Sequence, residues 1–190
     1  MMTNIYLQLN DLILPKKGEE ALISSPHVIV YLDGDTDRAF AMNMMKDIKP
    51  TRLSYKALMS ELESGEIVKG KLQLPNYMER PDRFINSDQV EKRDKKFAVI
   101  KPILENLESF LISRNYGREI VKKCLDVART VDVKVNRTQL YEWLYRYFRA
   151  GCNINGFLRK SGTGQVTDKN YSGKTGPKRE SKVVGRMRTG

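Results

Sequence analysis

Residues 131–151, VDVKVNRTQLYEWLYRYFRAG, constrain the fold of this chain more than any other segment. Asn136 is a favoured N-cap residue, and Gln139 follows at the spacing of a capping box, in which each side chain bonds the other residue's backbone amide. Apolar residues then recur at helical spacing until Gly151 supplies a stop signal. The segment therefore predicts an amphipathic helix that buries one stripe. The residues of this stripe are Leu140, Trp143, Leu144, Tyr147 and Phe148.

A second amphipathic helix is predicted directly upstream, over residues 117–130. Two short helices joined by a tight turn form a helix-turn-helix, whose second helix places its N-terminal residues against base edges in the major groove of DNA. A helical hairpin with a solvated basic face fits the same pattern, so both interpretations stay open at this point. The predicted buried positions are Ile120, Val121, Cys124, Leu125 and Ala128, and the basic positions are Arg118, Lys122, Lys123 and Arg129.

The positive charge of the chain is concentrated in and after this helix pair. The formal net charge is +11, yet residues 1–60 carry as many acidic as basic residues. Residues 116–150 carry a net charge of +4, and residues 151–190 carry +7. A charge gradient that begins at a predicted recognition helix indicates a polyanionic partner, because phosphates bind lysine and arginine. The sequence therefore predicts binding to double-stranded DNA.

The predicted DNA contacts follow from side-chain chemistry. Arginine and glutamine can each form two hydrogen bonds with a guanine or an adenine edge, while other basic residues bind phosphates. The predicted base contacts are Arg137, Thr138, Gln139 and Tyr141. The predicted phosphate contacts are Arg146 and Arg149, together with Arg159, Lys160, Lys174, Lys178, Arg179, Lys182, Arg186 and Arg188.

Residues 1–85 have a different pattern, which predicts a strand-rich N-terminal domain. Short apolar or alternating runs are separated by turn-forming sequences such as PKKG and DGDTD. One helix is predicted over residues 54–64, with Ser54 as its N-cap and Gly65 as its stop. We expect a small, strongly bent sheet or barrel that carries this helix.

Residues 86–151 form a second predicted domain. Apolar residues recur at helical spacing over 97–107, and Pro102 must begin, kink or divide that helix. With the helix pair, this segment makes a three-helix helix-turn-helix domain. Residues 152–190 are polar and Gly-rich without hydrophobic periodicity, and they are predicted to be an extended basic linker. The predicted fold class is thus α+β and multidomain.

Three aspartates in the sequence YLDGDTD form the one acidic cluster that resembles a catalytic site. Asp33, Asp35 and Asp37 follow an apolar run, as in metal-dependent phosphatases and nucleases, so a hydrolase is an alternative function. No distant lysine or acidic motif completes such a site. A hairpin turn explains the Asp-Gly-Asp sequence better.

The remaining composition predicts a cytoplasmic protein without a bound cofactor. The two cysteines and one histidine do not have the spacing of a disulfide framework or a zinc site. No apolar run approaches membrane-spanning length, and the N-terminus lacks the pattern of a signal peptide. We therefore predict no catalytic residue, no metal site and no membrane contact in this chain.

The second half of the chain resembles the Mu/TnsB-type transposases of bacterial mobile elements. The resembling sequences are KFAVIKPIL at residues 96–104, VKVNRTQLYEWLYRYFRAG at 133–151, GFL at 156–158 and GPKR at 176–179. In that family, they correspond to an R-x-x-I-x-P-L-L-like helix, a recognition helix with the pattern V-S-x-x-T-V-Y-x-W-L-x-R-Y-x-x-G, and a basic linker. This sequence departs from the family at the start of the recognition helix, residues 137–139, and by a longer stretch over 108–116. The strand-rich first half is similar, more loosely, to the beginning of TnsB proteins, including those of CRISPR-associated transposons.

The resemblance implies that this chain is the DNA-end-binding part of a transposase that integrates DNA. Its partners would be the repeated sequences at transposon ends, other transposition proteins and further transposase copies, in a nucleoid-associated bacterial setting. The family's catalytic domain, with an Asp-Asp-Glu triad that binds Mg²⁺, would lie downstream of the basic linker. We therefore expect residues 1–190 to be non-catalytic. A stand-alone transcriptional regulator of the helix-turn-helix type is the main alternative.

Overall fold

A five-stranded antiparallel sheet forms the middle layer of the fold, in the order β4-β3-β2-β1-β5. The structure is a computed structural model, and it describes residues 6–16 and 21–158. The first four strands form a meander, and the connection from β4 to β5 passes through helix α1 (Tyr55–Ser64) to the opposite edge. The strands are β1 (Leu12–Pro15), β2 (His27–Asp33), β3 (Arg38–Asn43), β4 (Thr51–Leu53) and β5 (Ile67–Gly70).

The sheet is open, so of the two expected forms, a bent sheet or a barrel, the barrel was wrong. Successive residues of a strand point to opposite faces, and both faces of the β2–β3 hairpin are buried. Val28 and Val30 pack with the helices that follow the sheet, whereas Ile29 packs with α1 residue Leu58. In a barrel the two edge strands would pair with each other, and one face of the sheet would surround the core. Here helices cover both faces, and β4 and β5 stay apart as opposite edges.

Helix α1 confirms the sequence prediction for its boundaries. The hydroxyl oxygen of Ser54 accepts a hydrogen bond from the amide of Ala57 at 3.1 Å, which satisfies one of the free donors of the first turn. Gly65 ends the helix with a φ of +81°, a conformation that glycine adopts without a side-chain clash. Leu58 and Leu62 are buried against the sheet.

Four helices form the layer on the other face of the sheet, one more than the sequence predicted. They are α2 (Ser87–Glu105), α3 (Leu107–Ile112), α4 (Arg114–Thr130) and α5 (Arg137–Arg149). Pro102 lies in the last turn of α2, which ends at Glu105 with Asn106 as its C-cap. A separate helix, α3, begins at Leu107, so the predicted helix is divided just after the proline. Three short 3-10 helices, Asn76–Met78, Asp82–Phe84 and Ile154–Phe157, complete the described part.

One buried cluster joins the sheet to this helical layer. Val30 and Phe40 from the strands belong to the same cluster as Ile103 of α2, Cys124 of α4 and Phe148 of α5. The core therefore continues across the predicted domain boundary between residues 85 and 86. Whether the two sides fold independently stays a prediction, which is tested below by unfolding.

The chain after α5 departs from the extended linker that was expected to begin at residue 152. Residues 152–158 instead fold back onto α2 and α5, where Phe157 and Leu158 are each 2% exposed. A buried arginine fixes this segment, since Arg93 of α2 donates a hydrogen bond of 2.6 Å to the side-chain oxygen of Asn155. The packed unit thus extends to Leu158.

Within residues 6–16 and 21–158, every helix is too short or too polar to cross a membrane.

Candidate nucleic-acid interface

Helix α5 begins with the capping box that the sequence predicts. The Asn136 side chain accepts a hydrogen bond from the Gln139 amide at 2.9 Å, and the Gln139 side-chain oxygen accepts one from the Asn136 amide at 3.2 Å. Val135 packs against the same cluster that buries Leu140, as in a hydrophobic staple, in which apolar residues on either side of the N-cap contact each other. These contacts fix the direction in which the first turn of α5 leaves the turn region.

The rest of α5 is held by its neighbours on several sides. Leu140, Leu144 and Phe148 are fully buried, and the helix packs against α2, against strands β2 and β3, and against the 3-10 helix Ile154–Phe157. Trp143 and Tyr147 of the predicted stripe are only partly buried at its margin. Beyond the first turn, only Glu142 and Arg146 are exposed along the helix. The first turn is therefore the most exposed part of α5.

Three of the predicted base contacts lie in this accessible turn. Arg137, Thr138 and Gln139 are all exposed. The side chains of Arg137 and Thr138 form no hydrogen bond or ion pair with the part of the chain that the structure describes. Their polar groups are therefore available to a ligand, and the helix N-terminus adds a partial positive charge beside them.

Tyr141, the fourth predicted base contact, is partly buried and packs against the core. Its ring centre lies 6.2 Å from that of Phe110 on α3 and 6.0 Å from that of Tyr145. The buried stripe predicted for α5 did not include Tyr141, because helical periodicity identifies a single apolar face of a helix. Helix α3 supplies Tyr141 with a packing partner, Phe110, that the periodicity of α5 does not show.

The two predicted phosphate contacts in α5 have partners within the protein. An Arg146 guanidinium nitrogen donates a hydrogen bond of 2.6 Å to the carbonyl of Leu158. Arg149 forms an ion pair of 2.7 Å with Asp47 and donates to the carbonyls of Asn43 and Lys46. Both guanidinium groups thus fasten α5 to neighbouring segments, and Arg146 keeps an exposed edge.

Helix α4 presents the basic face that the sequence predicts. Ile120, Val121, Cys124 and Ala128 are buried, and Leu125 is partly buried. The opposite positions are exposed. They are Arg118, Lys122, Lys123 and Arg129.

A cleft of about 710 Å³ separates the end of α4 from the start of α5, and we call it the turn cleft. Arg129, Lys134 and Gln139 all line it, so the basic end of α4 and the first turn of α5 open onto one concave surface. Asp126 holds Arg129 by an ion pair of 2.7 Å. Its apolar lining comes from Leu125 and Ala128 of α4 and from Val133 and Val135 of the connecting turn.

A second cleft, which the sequence interpretation missed, lies on the other side of the same turn. It has a volume of about 500 Å³, and we call it the lysine cleft. It is lined by Gln89, Lys92, Lys95, Lys96, Asp132, Val133, Lys134, Trp143, Phe157 and Leu158. Three lysines of α2 at helical spacing were a visible signal. The sequence predicted residues 86–96 to be either a polar link between the two domains or the beginning of a helix, and gave these lysines no binding role.

The aspartate cluster forms a hairpin turn between β2 and β3, as the preferred interpretation predicted. The carboxylate of Asp33 accepts hydrogen bonds from the Asp35 amide at 3.1 Å and from Thr36, which lower its pKa, the Thr36 hydroxyl most strongly. The Asp37 carboxylate accepts from the Lys56 amide at 2.8 Å and from the Ser54 hydroxyl at 2.9 Å, and these bonds lower its pKa as well. These carboxylates therefore stabilise the turn and the start of α1.

Of the two cysteines, Cys124 is buried in the core and Cys152 is partly buried against it. Burial raises the pKa of the Cys124 thiol to about 11, and burial raises that of Cys152 to about 11 as well. A thiol with such a pKa stays protonated at neutral pH and is a poor nucleophile. In the described ranges, no three His, Cys, Asp or Glu side chains are grouped closely enough to hold a metal ion.

The other predicted phosphate contacts, in the basic segment that follows Leu158, lie outside the described residues. They are Arg159, Lys160, Lys174, Lys178, Arg179, Lys182, Arg186 and Arg188. No protein-family model matches this chain, and a search of curated proteins finds no match.

Proposed function

We propose that α4, the turn and α5 form a helix-turn-helix that binds double-stranded DNA with sequence specificity. One observation carries the proposal: Arg137, Thr138 and Gln139 project from the capped first turn of α5, while Leu140, Leu144 and Phe148 fix the helix to the core. A recognition helix contacts base edges through such N-terminal positions. Arg129, at the end of α4, and Lys134 line the turn cleft beside this turn and suit the phosphate backbone.

Each exposed side chain has a distinct role in this proposal. Arg137 donates two hydrogen bonds to a guanine edge, and Thr138 contacts a neighbouring base or phosphate. Gln139 pairs with adenine through its amide nitrogen and through the second lone pair of its oxygen, because the first accepts from Asn136 in the capping box. The partly buried position of Tyr141 favours a packing role over base contact.

We further propose that the bound sequences are the repeats at transposon ends, which rests on the resemblance to Mu/TnsB-type transposases. The family's catalytic chemistry, with its Mg²⁺, would belong to a domain downstream of residue 190. A stand-alone transcriptional regulator uses the same kind of interface. The two functions differ in the location of the target: transposase sites repeat at the ends of a mobile element, whereas regulator sites lie in promoters.

A selection from a randomised duplex library tests DNA binding by residues 1–190. We expect enrichment of one motif, whereas a matched pool of single strands should yield none. The motif can then be searched for at the ends of the element that encodes the chain. Duplex binding without enrichment of any motif would leave only non-specific affinity and would contradict the proposal.

The basic segment after Leu158 should bind phosphates without changing the selected motif. Residues 159–190 contain nine basic and two acidic residues. Truncation after Leu158 should weaken binding to all duplexes and reduce the slope of log affinity against log salt by about 0.9 for each phosphate that the segment neutralises. The cut is placed there because Phe157 and Leu158 are buried, so the melting temperature should not change. An unchanged slope would show that this segment does not touch DNA.

A further inference from the structure

The lysine cleft is separate from the first turn of α5 but shares its connecting turn. Asp132, Val133 and Lys134 line both the lysine cleft and the turn cleft. Lys134 comes two residues before Asn136, the N-cap of α5. The two clefts therefore form one surface that runs from the start of α5, across the turn, to the N-terminal half of α2.

Positive charge in the lysine cleft exceeds what its own acidic residues balance. Four lysines line it together with one aspartate. Lys92 and Lys134 are exposed and form no ion pair with any residue in the described ranges. Lys95 is paired with Glu91 at 2.7 Å, and the ammonium of Lys96 lies 5.5 Å from the centre of the Trp143 ring. Charges of one sign in a concave, partly apolar surface concentrate the field that attracts an anion.

The position of the cleft favours a DNA strand over other anions. A phosphate bound at the N-terminus of α5 would belong to a strand whose adjacent phosphates must continue along the protein surface. Lys134 lies at the start of this path along the protein surface, and Lys92 and Lys95 lie further along it. Leu158 also lines the cleft, and the 32 residues that follow it in the sequence include nine basic residues.

We propose that the lysine cleft binds the phosphates of the DNA strand that flanks the base pairs read by α5. Lys92, Lys95 and Lys134 contact the phosphates. Lys96 and the Trp143 ring form the side of the cleft next to these lysines. This inference rests on the proposed function, since it assumes that the first turn of α5 is in the major groove. It adds a second, sequence-independent contact area and gives α2 a binding role.

The test compares two variants from which the same charge has been removed. The first is the triple variant Lys92→Gln, Lys95→Gln, Lys134→Gln. The control is Lys56→Gln, Lys71→Gln, Lys101→Gln, whose three exposed lysines lie outside both clefts. Affinity for one selected duplex is measured from 50 to 300 mM salt by fluorescence anisotropy, and the strands are footprinted with hydroxyl radicals.

The triple variant should lower the salt slope by about 2 to 3, near 0.9 for each lysine that contacts a phosphate, and should weaken binding at least tenfold at about 0.1 M salt. One patch of backbone protection beside the selected base pairs should disappear, while the selected motif stays the same. The control variant should move the slope by less than about 0.5. The double variant Lys92→Gln, Lys134→Gln keeps the ion pair between Lys95 and Glu91, so it removes no ion pair of the described residues that could stabilise the fold. It should lower the slope by about 2, and this decrease would then come from lost phosphate contacts and not from unfolding.

Three outcomes overturn the inference in distinguishable ways. No binding of any duplex by the unmodified chain would defeat the proposed function and this inference together. Duplex binding with equal salt slopes in the triple and control variants would defeat the inference alone. Binding of a labelled oligoglutamate peptide that the triple variant abolishes, with DNA binding unchanged, would assign the cleft to an acidic protein segment instead.

Discussion

Phe148→Ala should lower the free energy of unfolding by about 3–5 kcal/mol, the range for truncation of a large buried aromatic residue. Phe148 is completely buried in α5 and belongs to the cluster that joins the sheet to the helices. The shared core predicts a single transition in which strands and helices unfold together. Denaturant unfolding followed by circular dichroism, by Trp143 fluorescence and by hydrogen exchange of the β2–β3 amides measures this directly.

The control for this experiment is Phe84→Ala, because the Phe84 side chain is 63% exposed. Its substitution should change the unfolding free energy by no more than about 0.5 kcal/mol. If Phe148→Ala destabilised the helices while the β2–β3 amides kept their full protection, the two sides of the 85/86 boundary would be independent domains.

Arg93→Met should cost about 2–3 kcal/mol, because it removes several hydrogen bonds between a buried cation and its partners. Arg93 is 5% exposed and bonds Asp82 at 2.6 and 2.9 Å, Asp94 at 2.8 Å and Asn155 at 2.6 Å. Through these contacts it holds the segment before α2, α2 itself and the segment that ends at Leu158. Methionine fills similar space but leaves the side-chain oxygen of Asn155 without its donor.

Thermal unfolding over a range of pH distinguishes disruption of this network from disruption of packing. The hydrogen bond from Arg93 lowers the pKa of Asp82, so the stability gained from this pair is present at neutral pH and disappears as the pH falls through that lowered pKa. Arg93→Met should therefore flatten the acid side of the stability profile. Arg83→Met, at an exposed neighbouring position, should leave the profile unchanged. A profile for Arg93→Met parallel to the unmodified one would contradict the assigned role.

Local signals in the sequence were sufficient to predict α5, α4 and α1 together with the caps of α5 and α1. A cap such as that of Asn136 with Gln139, or a stop such as Gly65, involves residues within a few positions, so it is visible in the sequence. The β2–β3 hairpin was visible for the same reason. Periodicity also identified the buried stripe of α4 and the exposed first turn of α5.

Contacts between distant segments account for the features that were not predicted. Tyr141 packs against Phe110 of α3, about thirty positions earlier in the chain, which explains why it is partly buried. Arg149 was predicted to bind phosphate, yet Asp47 and the carbonyls of Asn43 and Lys46 bind it, and that loop is about one hundred positions away in the chain. Strand β4 has only three residues, which is too short for a periodic signal.

The lysine cleft shows how a candidate site can be missing from a sequence interpretation although its residues are visible. Lys92, Lys95 and Lys96 share one side of α2, but a charged stretch of this kind is usually a solvated helix surface. Only the fold brings the turn residue Lys134 and the Trp143 ring beside them. The same fold places the end of the described chain, Leu158, at this cleft.

The most direct test of the central claim is a parallel duplex selection with the unmodified chain, Arg137→Ala and the control Arg118→Ala. Arg137 is preferred to Gln139 for this test because Gln139 also closes the capping box. We predict that Arg137→Ala loses a guanine preference at one or two positions, worth about 1–3 kcal/mol, and keeps its melting temperature and non-specific affinity. Arg118→Ala should retain the whole motif. The same motif, with the same preference at every position, in Arg137→Ala and in the unmodified chain would contradict the claim that the first turn of α5 reads DNA.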